Sequence, residues 1–278
     1  MNERRNAVIK FAVGLTLLLV AYIPAFIWMY GRWVAPESYY SHGFFIPLIS
    51  LFVIWQRREL LMKAGLSSDM RGLIIVIAGL LVHVASVALN VFFVSAFTFV
   101  LVLYGLVLFI FGKDLTRNLI FPIFFLAAMV PLPLVLISNM AVKLKLLAAQ
   151  CATFALNGIG FPSILDGSII RMQNSFTIVG APCSGLRSLI ALITLGLLFA
   201  YALKVSFLKK GVLLLASIPI ALVTNMMRII LLAVVNDLYG EKVATGFFHD
   251  FSGFLVFGVA FMCLLGISRC LGGEVRDG

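Results

Sequence analysis

The sequence predicts an all-α, polytopic bundle of about eight transmembrane helices. Composition is the first reason, because the 278 residues have a mean hydropathy of +1.14 and are 63% hydrophobic but only 12% charged. A soluble domain of this length with the same composition would have too few charged residues for its surface. The second reason is that apolar runs of about 20 residues recur along the chain, each long enough to cross a bilayer. We therefore expect one integral membrane domain over residues 1–278.

The first apolar run follows a basic N-terminus, as in a signal peptide, but it continues to about Tyr30. It shows no convincing small-residue cleavage site, so we interpret it as a first span, interrupted only by Pro24. The expected spans are, in order, about 8–30, 42–56, 72–92, 95–111, 119–138, 183–203, 211–235 and 251–270.

Loop charges predict the orientation of these spans. Of the 21 Lys and Arg residues, fourteen lie in segments on the side of the N-terminus: Arg4, Arg5, Lys10, Arg57, Arg58, Lys63, Arg71, Lys113, Arg117, Lys204, Lys209, Lys210, Arg269 and Arg276. Five lie on the opposite side: Arg32, Lys143, Lys145, Arg171 and Lys242. The positive-inside rule then places both termini in the cytoplasm, in a multi-pass protein of the cytoplasmic (inner) membrane. Topology explains the basic residues, so no nucleic-acid partner is expected.

The long segment 139–182 is expected outside the cytoplasm. In its first part, 139–157, Lys143 and Lys145 stand among many Leu and Ala residues, which favours an interfacial amphipathic helix over a ninth span. Residues 167–179 predict two short strands around Gln173-Asn174-Ser175, which form a hairpin. This hairpin leads directly to a cysteine.

That cysteine, Cys183, lies in Val-Gly-Ala-Pro-Cys-Ser-Gly-Leu-Arg-Ser, residues 179–188. We expect it at the start of the sixth span, where Pro182 suits the first helical turn and the positive helix end stabilises a thiolate. A structural role is the alternative, and it is the role we assign to Cys151, Cys263 and Cys270. The spacing of the four cysteines does not resemble a metal site, and neither a metal nor a cofactor is expected.

Two further polar residues are expected on the same membrane face as Cys183: Arg228 in the outer half of the seventh span and His249 at the outer start of the eighth. A thiolate attacks carbonyl carbons, an imidazole transfers the protons, and an arginine stabilises the oxyanion. We expect the three side chains to share one outward-facing cavity. Alternatively, Arg228 snorkels to the interface and His249 is an ordinary loop residue.

Supporting roles are assigned to residues near these three. Arg187 follows Cys183 by four residues, hence on the same helix face, where it tunes the thiolate, binds a substrate carboxylate or forms a structural pair. Ser184 adjoins the nucleophile, and Asn225 shares a face with Arg228 and orients it. His42, at the outer end of the second span, shapes a substrate cleft or anchors the interface.

At these residues the sequence resembles the exosortase/archaeosortase family of membrane cysteine transpeptidases. The similarity rests on Cys183-Ser184-Gly185, on Asn225 to Arg228, on His249, and on a block from Tyr39-Tyr40-Ser41-His42-Gly43-Phe44 through Ile46-Pro47-Leu48 to Trp55-Gln56-Arg57-Arg58. It covers about residues 38–265. His249 resembles the bacterial exosortase branch, whereas Pro182 departs from the small or acidic residue expected there.

The resemblance implies a protease and transpeptidase that cleaves PEP-CTERM-like C-terminal sorting signals of exported proteins through a thioester at Cys183. Such a signal combines a short motif, a transmembrane helix and a basic cluster. The acceptor would be a cell-envelope molecule, such as a lipid or a polysaccharide precursor. The rival functions are a membrane thiol acyltransferase or simple peptidase, and a transporter with an intramembrane anion site at Arg228.

Overall fold

The computed structural model describes residues 2–272, except for the side chains of Ala181, Pro182, Phe247, His249 and Asp250. The chain divides into two compact units, one ending at Pro133 and the other beginning at Leu134. Both are built mainly from helices, and the second also carries a small sheet. The predicted all-α polytopic class is confirmed.

The first unit contains six α-helices and two short 3₁₀ helices. These are α1 (Asn2–Ala21), α2 (Ile23–Trp33), a 3₁₀ helix (Ser41–Phe44), α3 (Phe45–Gln56), α4 (Arg58–Lys63), α5 (Met70–Ala88), α6 (Phe92–Phe125) and a 3₁₀ helix (Leu126–Met129). The second unit contains α7 (Leu134–Gly158), β1 (Ile164–Asp166), β2 (Ile169–Arg171), β3 (Phe176–Ile178), a 3₁₀ helix (Ala181–Ser184), α8 (Leu186–Ala202), α9 (Phe207–Tyr239), α10 (Glu241–Thr245) and α11 (Phe247–Cys270).

Within residues 2–272, five helices are long and apolar enough to cross a membrane, or six if α1 and α2 form one span. These two helices are bent by 62° at Tyr22, and Pro24 lies in the first turn of α2, where proline is tolerated. The expected spans 42–56 and 183–203 correspond to shorter apolar helices, Ser41–Gln56 and Leu186–Ala202.

The expected spans 95–111 and 119–138 are joined in α6, which kinks at Gly112. Gly112 has φ 77° and ψ −177°, and a methyl group there would clash with the carbonyl oxygen of Ser67, so only glycine fits. The predicted end of the second of these spans at residue 138 is wrong. Pro131 and Pro133 interrupt the helix, because proline lacks an N–H and keeps the preceding residue extended.

As a result, α7 begins at Leu134 and not at residue 139. Its 25 residues are long and apolar enough to cross a membrane, whereas the sequence predicted an interfacial helix. One face of its C-terminal half, with Ala149, Ala152 and Leu156, packs in a core that also contains Ile170 of β2 and Ile229 of α9.

A polar cluster lies inside the first unit around His83, the mid-span histidine. The Nδ1 atom of His83 is 2.8 Å from Ser95 Oγ, and Nε2 is 3.2 Å from the carbonyl oxygen of Ala21. The imidazole stacks on Tyr22 at a centroid distance of 3.9 Å, and the Tyr22 hydroxyl is 3.0 Å from Thr98 Oγ1. Both ring nitrogens of His83 therefore have hydrogen-bond partners within the packed helices of the first unit.

The predicted hairpin is confirmed as β2 and β3, and the structure adds β1 before it in an antiparallel sheet of order β1-β2-β3. Its turn is bound to α9. The Oδ1 atom of Asp237 accepts hydrogen bonds from Asn174 N and Ser175 Oγ, both at 3.1 Å. Asn236 Nδ2 donates to the carbonyl oxygen of Phe176 at 2.9 Å. The sheet is therefore held beside α9, close to the cysteine.

Candidate active site

The segment that carries Cys183 is a short 3₁₀ turn between β3 and α8. Gly180 is extended, and Cys183 N donates to the carbonyl oxygen of Gly180 at 3.1 Å. Gly185 is left-handed with φ 76°, and α8 begins only at Leu186. The prediction that Cys183 opens the sixth helix is therefore wrong. A turn at Gly185 separates the thiol from that helix. Cys183 is therefore not in the first turn of α8, where the helix N-terminus was expected to stabilise its thiolate.

This turn is fixed by Asn225, a residue of α9 that is only 3% exposed. Its Nδ2 atom donates to the carbonyl oxygen of Cys183 at 2.8 Å. A methyl group on Gly185 would lie 2.9 Å from Asn225 Cγ, so both the φ value and the close approach require glycine. The sequence assigned Asn225 to orienting Arg228. The structure shows that its side-chain amide holds the backbone of the cysteine.

Cys183 is half-buried and lines a cavity of about 250 Å³ between the sheet, α9 and α10. The described residues that line it are Phe176, Thr177, Ile178, Val179, Gly180, Cys183, Ile229, Leu232, Asn236, Glu241, Ala244 and Thr245. Most of these side chains are apolar, and Glu241 is the acidic residue among them. The other cysteines are exposed on α7 and α11.

Arg228 lies beside this site, at the edge of the α9 face that contributes residues to the site. At about 100° per residue, Asn225, Ile229, Leu232 and Asn236 form one stripe, and Arg228 lies about 60° around the helix from Asn225. Its Nε atom donates to the buried Ser252 Oγ of α11 at 3.1 Å.

The cavity that Cys183, Arg228 and His249 are expected to share is not seen among the described residues. Arg228 is not one of the residues that line the cavity of Cys183. His249 belongs to the first turn of α11, and its side chain is outside the described residues. Structure thus brings Cys183 and Asn225 into contact and places Arg228 one helical turn away on α9.

The remaining predicted residues occupy different surroundings. Ser184 is buried, and its Oγ accepts from Leu186 N at 3.4 Å at the start of α8. Arg187 is exposed, and the left-handed Gly185 between it and Cys183 removes the helical spacing on which the shared face was predicted.

His42 belongs to the first unit, where its ring stacks on Tyr40 at a centroid distance of 5.8 Å. Its Nε2 atom is buried without a hydrogen-bond partner in the described structure.

Sequence reasoning missed Asn236 and Asp237, which hold the hairpin, and Ser252, which binds Arg228. A signal was present, because polar side chains near or inside an apolar helix usually face a partner. Their partners were not readable, since they lie 24 to 63 residues away in the chain.

Fold and site together define a polytopic helical membrane protein with a free cysteine on the wall of a cavity. The family model for transmembrane exosortases (Exosortase_EpsH) matches residues 33–266. The chain therefore belongs to the transmembrane exosortase family, a family of membrane-embedded transpeptidases, and the resemblance found in the sequence is confirmed. No curated protein and no solved structure matches the chain significantly.

Proposed function

We propose that this exosortase cleaves PEP-CTERM-like C-terminal sorting signals of exported proteins through a thioester at Cys183 and transfers them to a cell-envelope acceptor. The observation that carries the proposal is the fixed position of Cys183: its backbone is bound by Asn225 while its side chain lies on a cavity wall. A cysteine with only a packing role needs neither a buried amide on its carbonyl nor open space in front of it.

The reaction has two steps. In the first, the Cys183 thiolate forms a bond to the scissile carbonyl carbon, the C–N bond breaks, and the leaving amine takes up the proton that the thiol lost. In the second, the hydroxyl or amine of the acceptor attacks the thioester, and the acceptor's proton returns to the departing sulfur. The products are an acceptor-linked protein and a free Cys183.

Arg228 and His249 are assigned to charge and proton transfer in this proposal. Arg228 keeps its charge and stabilises the oxyanion of the tetrahedral intermediate or the substrate. Its bond to Ser252 directs the guanidinium toward the first turns of α11. Position 249 lies one turn before Ser252 on that helix, which favours a role for His249 as the general acid and base beside Arg228.

The site is proposed to face the extracytoplasmic side. In the second unit, Lys209 donates to the carbonyl oxygen of Leu271 at 2.8 Å, so the N-terminus of α9 and the C-terminus of α11 meet at one end. Asn225 lies about 24 Å further along α9 at 1.5 Å per residue, a large part of the roughly 30 Å hydrocarbon thickness. Since the basic residues concentrate at the Lys209 end, the positive-inside rule puts Cys183 outside.

The proposed substrate fits this topology. A sorting signal crosses the bilayer with its basic cluster in the cytoplasm, so its motif emerges at the outer face, where membrane lipids and envelope precursors are available as acceptors. The basic cluster itself would be repelled by the basic cytoplasmic end of the enzyme, so recognition has to occur at the motif and the helix.

Trapping the thioester tests the proposal. The purified protein in lipid nanodiscs is incubated with a synthetic peptide that carries a Pro-Glu-Pro motif, an apolar helix and a basic cluster. Mass spectrometry should find the N-terminal peptide fragment on Cys183, released by hydroxylamine. Cys183→Ala should abolish the adduct and cleavage at an unchanged protein level, while Cys151→Ala should leave both intact.

The rival functions give different results in the same experiment. A fatty acyl group on Cys183 would show a membrane acyltransferase, and hydrolysis of the adduct in the presence of every tested acceptor would show a simple peptidase. Retention of cellular function in Cys183→Ala would favour a transporter with Arg228 as its anion site.

A further inference from the structure

β3 is an edge strand, and its free side can be identified from the register. Val179 N donates to the carbonyl oxygen of Ser168 at 2.9 Å, and Met172 N donates to that of Ser175 at 2.8 Å. The backbone groups of Ser175 and Val179 therefore point toward β2. Because these directions alternate along a strand, the N–H and C=O groups of Phe176 and Ile178 point away from the sheet.

This free edge forms one wall of the cavity of Cys183. The five consecutive residues 176–180 all line the cavity. Side chains of neighbouring strand residues point to opposite faces of the sheet, so a continuous run on one wall presents the backbone edge. The lining also includes the apolar residues Ile229, Leu232 and Ala244. The cavity thus combines the hydrogen-bonding groups of the β3 edge with apolar side chains.

The free edge is short and lies next to the nucleophile. At its start, Asn236 Nδ2 already occupies the carbonyl oxygen of Phe176 at 2.9 Å. At its end, the carbonyl oxygen of Gly180 accepts from Cys183 N. Between them, neither the N–H nor the C=O of Ile178 has a partner among the residues that the structure describes. Such an edge readily pairs with an added strand.

We propose that the edge of β3 at Ile178 binds the substrate as an added, extended strand, on the N-terminal side of the scissile bond. This inference rests on the proposed function. Ile178 N–H donates to a peptide carbonyl and its C=O accepts from a peptide N–H, which gives affinity without reading side chains. The N-terminal side is chosen because that segment stays bound to Cys183 in the thioester, whereas the C-terminal tail departs.

The size of the cavity limits the length of the bound segment. Its volume of about 250 Å³ lies slightly below the roughly 300–1,000 Å³ of small-molecule pockets, so it holds only a few small residues in extended form. The cavity therefore accommodates a short extended segment, which β3 binds by its backbone.

A backbone substitution tests the proposal without changing a side chain. Ile178 is replaced by its α-hydroxy acid. This change removes the outward N–H and keeps the side chain. It also makes the carbonyl oxygen of Thr177 a weaker acceptor in the hydrogen-bond ladder to β2. Leu165 offers a matched control: it lies at the outer edge of β1, and its N–H also points away from the sheet. The KM for the synthetic tail peptide should rise about three- to tenfold at Ile178, with kcat unchanged, and should not change at Leu165.

Peptides methylated at single backbone nitrogens provide the second measurement. One N-methyl group upstream of the scissile bond should raise KM by a similar factor, and downstream N-methyl groups should have no effect.

The proposal is overturned if the Ile178 ester keeps the wild-type KM, if both esters raise KM equally, or if only downstream methylation raises KM. An oligomeric state altered by the Ile178 ester at constant KM would show that a second copy occupies the edge. Failure of the wild-type protein to form a thioester would instead refute the proposed function.

Discussion

Polar side chains have different partners in the two units of the chain. In the polar cluster of the first unit, His83 of α5 binds Ser95 of α6 and stacks on Tyr22, so the polar groups of this cluster join helices to each other. In the second unit, Asn225 and Asn236 of α9 bind the backbone of the cysteine turn and of β3. The polar cluster around His83 holds helices together, whereas the two asparagines of α9 hold non-helical segments of the chain.

Non-helical backbone in a membrane protein is tolerated where it is buried in protein or lines a cavity. The polar residues of α9 provide this support beside the cavity of Cys183. The comparison therefore predicts that substitutions in the polar cluster of the first unit reduce stability alone, whereas substitutions on α9 reduce activity more than stability.

The largest effect among α9 substitutions is expected for Arg228→Gln. Loss of a charge that stabilises an oxyanion lowers kcat on the order of 10²–10³-fold. Single-turnover cleavage of the tail peptide measures it. Arg187→Gln is the matched control, because Arg187 is exposed and the helical spacing to Cys183 is broken, and its kcat should stay within about twofold of the wild type. Equal losses in both variants would contradict the assignment of Arg228.

A smaller effect is expected for Asn225→Ala, which leaves the carbonyl oxygen of Cys183 without its 2.8 Å donor. An unpaired buried carbonyl costs about 1–3 kcal/mol, and the turn relaxes to avoid this cost. We expect kcat to fall about tenfold and the alkylation rate of Cys183 to change. Wild-type values of both would show that the cysteine turn does not depend on α9.

Asp237→Ala is expected to have a weaker effect, because it acts through the hairpin. It removes the acceptor of Asn174 N and Ser175 Oγ, so β3 becomes less well positioned and the KM for the tail peptide rises about two- to fivefold. Asp166→Ala is the control on the same sheet. Its ion pair with Arg171 is exposed on both sides, and such pairs contribute little. A KM change of the same size in Asp166→Ala would assign the effect to general loss of the sheet.

Several elements were predictable from local pattern. The helices follow from long apolar runs, and the hairpin follows from short strands around Gln173-Asn174-Ser175. β1 was missed although its signal was present. Gly167-Ser168 is a two-residue hairpin turn between Asp166 and Ile169, and Gly167 has a positive φ of 62°. The sequence pattern predicts this glycine at the start of a strand and not in the turn between two strands.

The errors near Cys183 have a different cause. The apolar run predicts one helix through Gly185, which places Cys183 at a helix terminus and Arg187 on the same helix face as Cys183. In the structure Gly185 is left-handed and packed against Asn225, a contact that spans 40 residues of sequence. A local pattern does not contain such a contact. For the same reason the sequence singles out Asn225 but does not identify the backbone of Cys183 as its partner.

His83→Ala should have no effect on activity, and it tests the other half of the comparison. The substitution removes the bond to Ser95 and the ring stacked on Tyr22, which costs about 1–3 kcal/mol of stability. We expect the melting temperature in nanodiscs to fall by several degrees, while kcat and KM per folded molecule stay at wild-type values. Val84→Ala is the neighbouring control: Val84 is 65% exposed, and its variant should melt close to the wild type. An altered kcat in folded His83→Ala would mean that the polar cluster of the first unit also serves the reaction, and stability and activity would no longer separate between the two units.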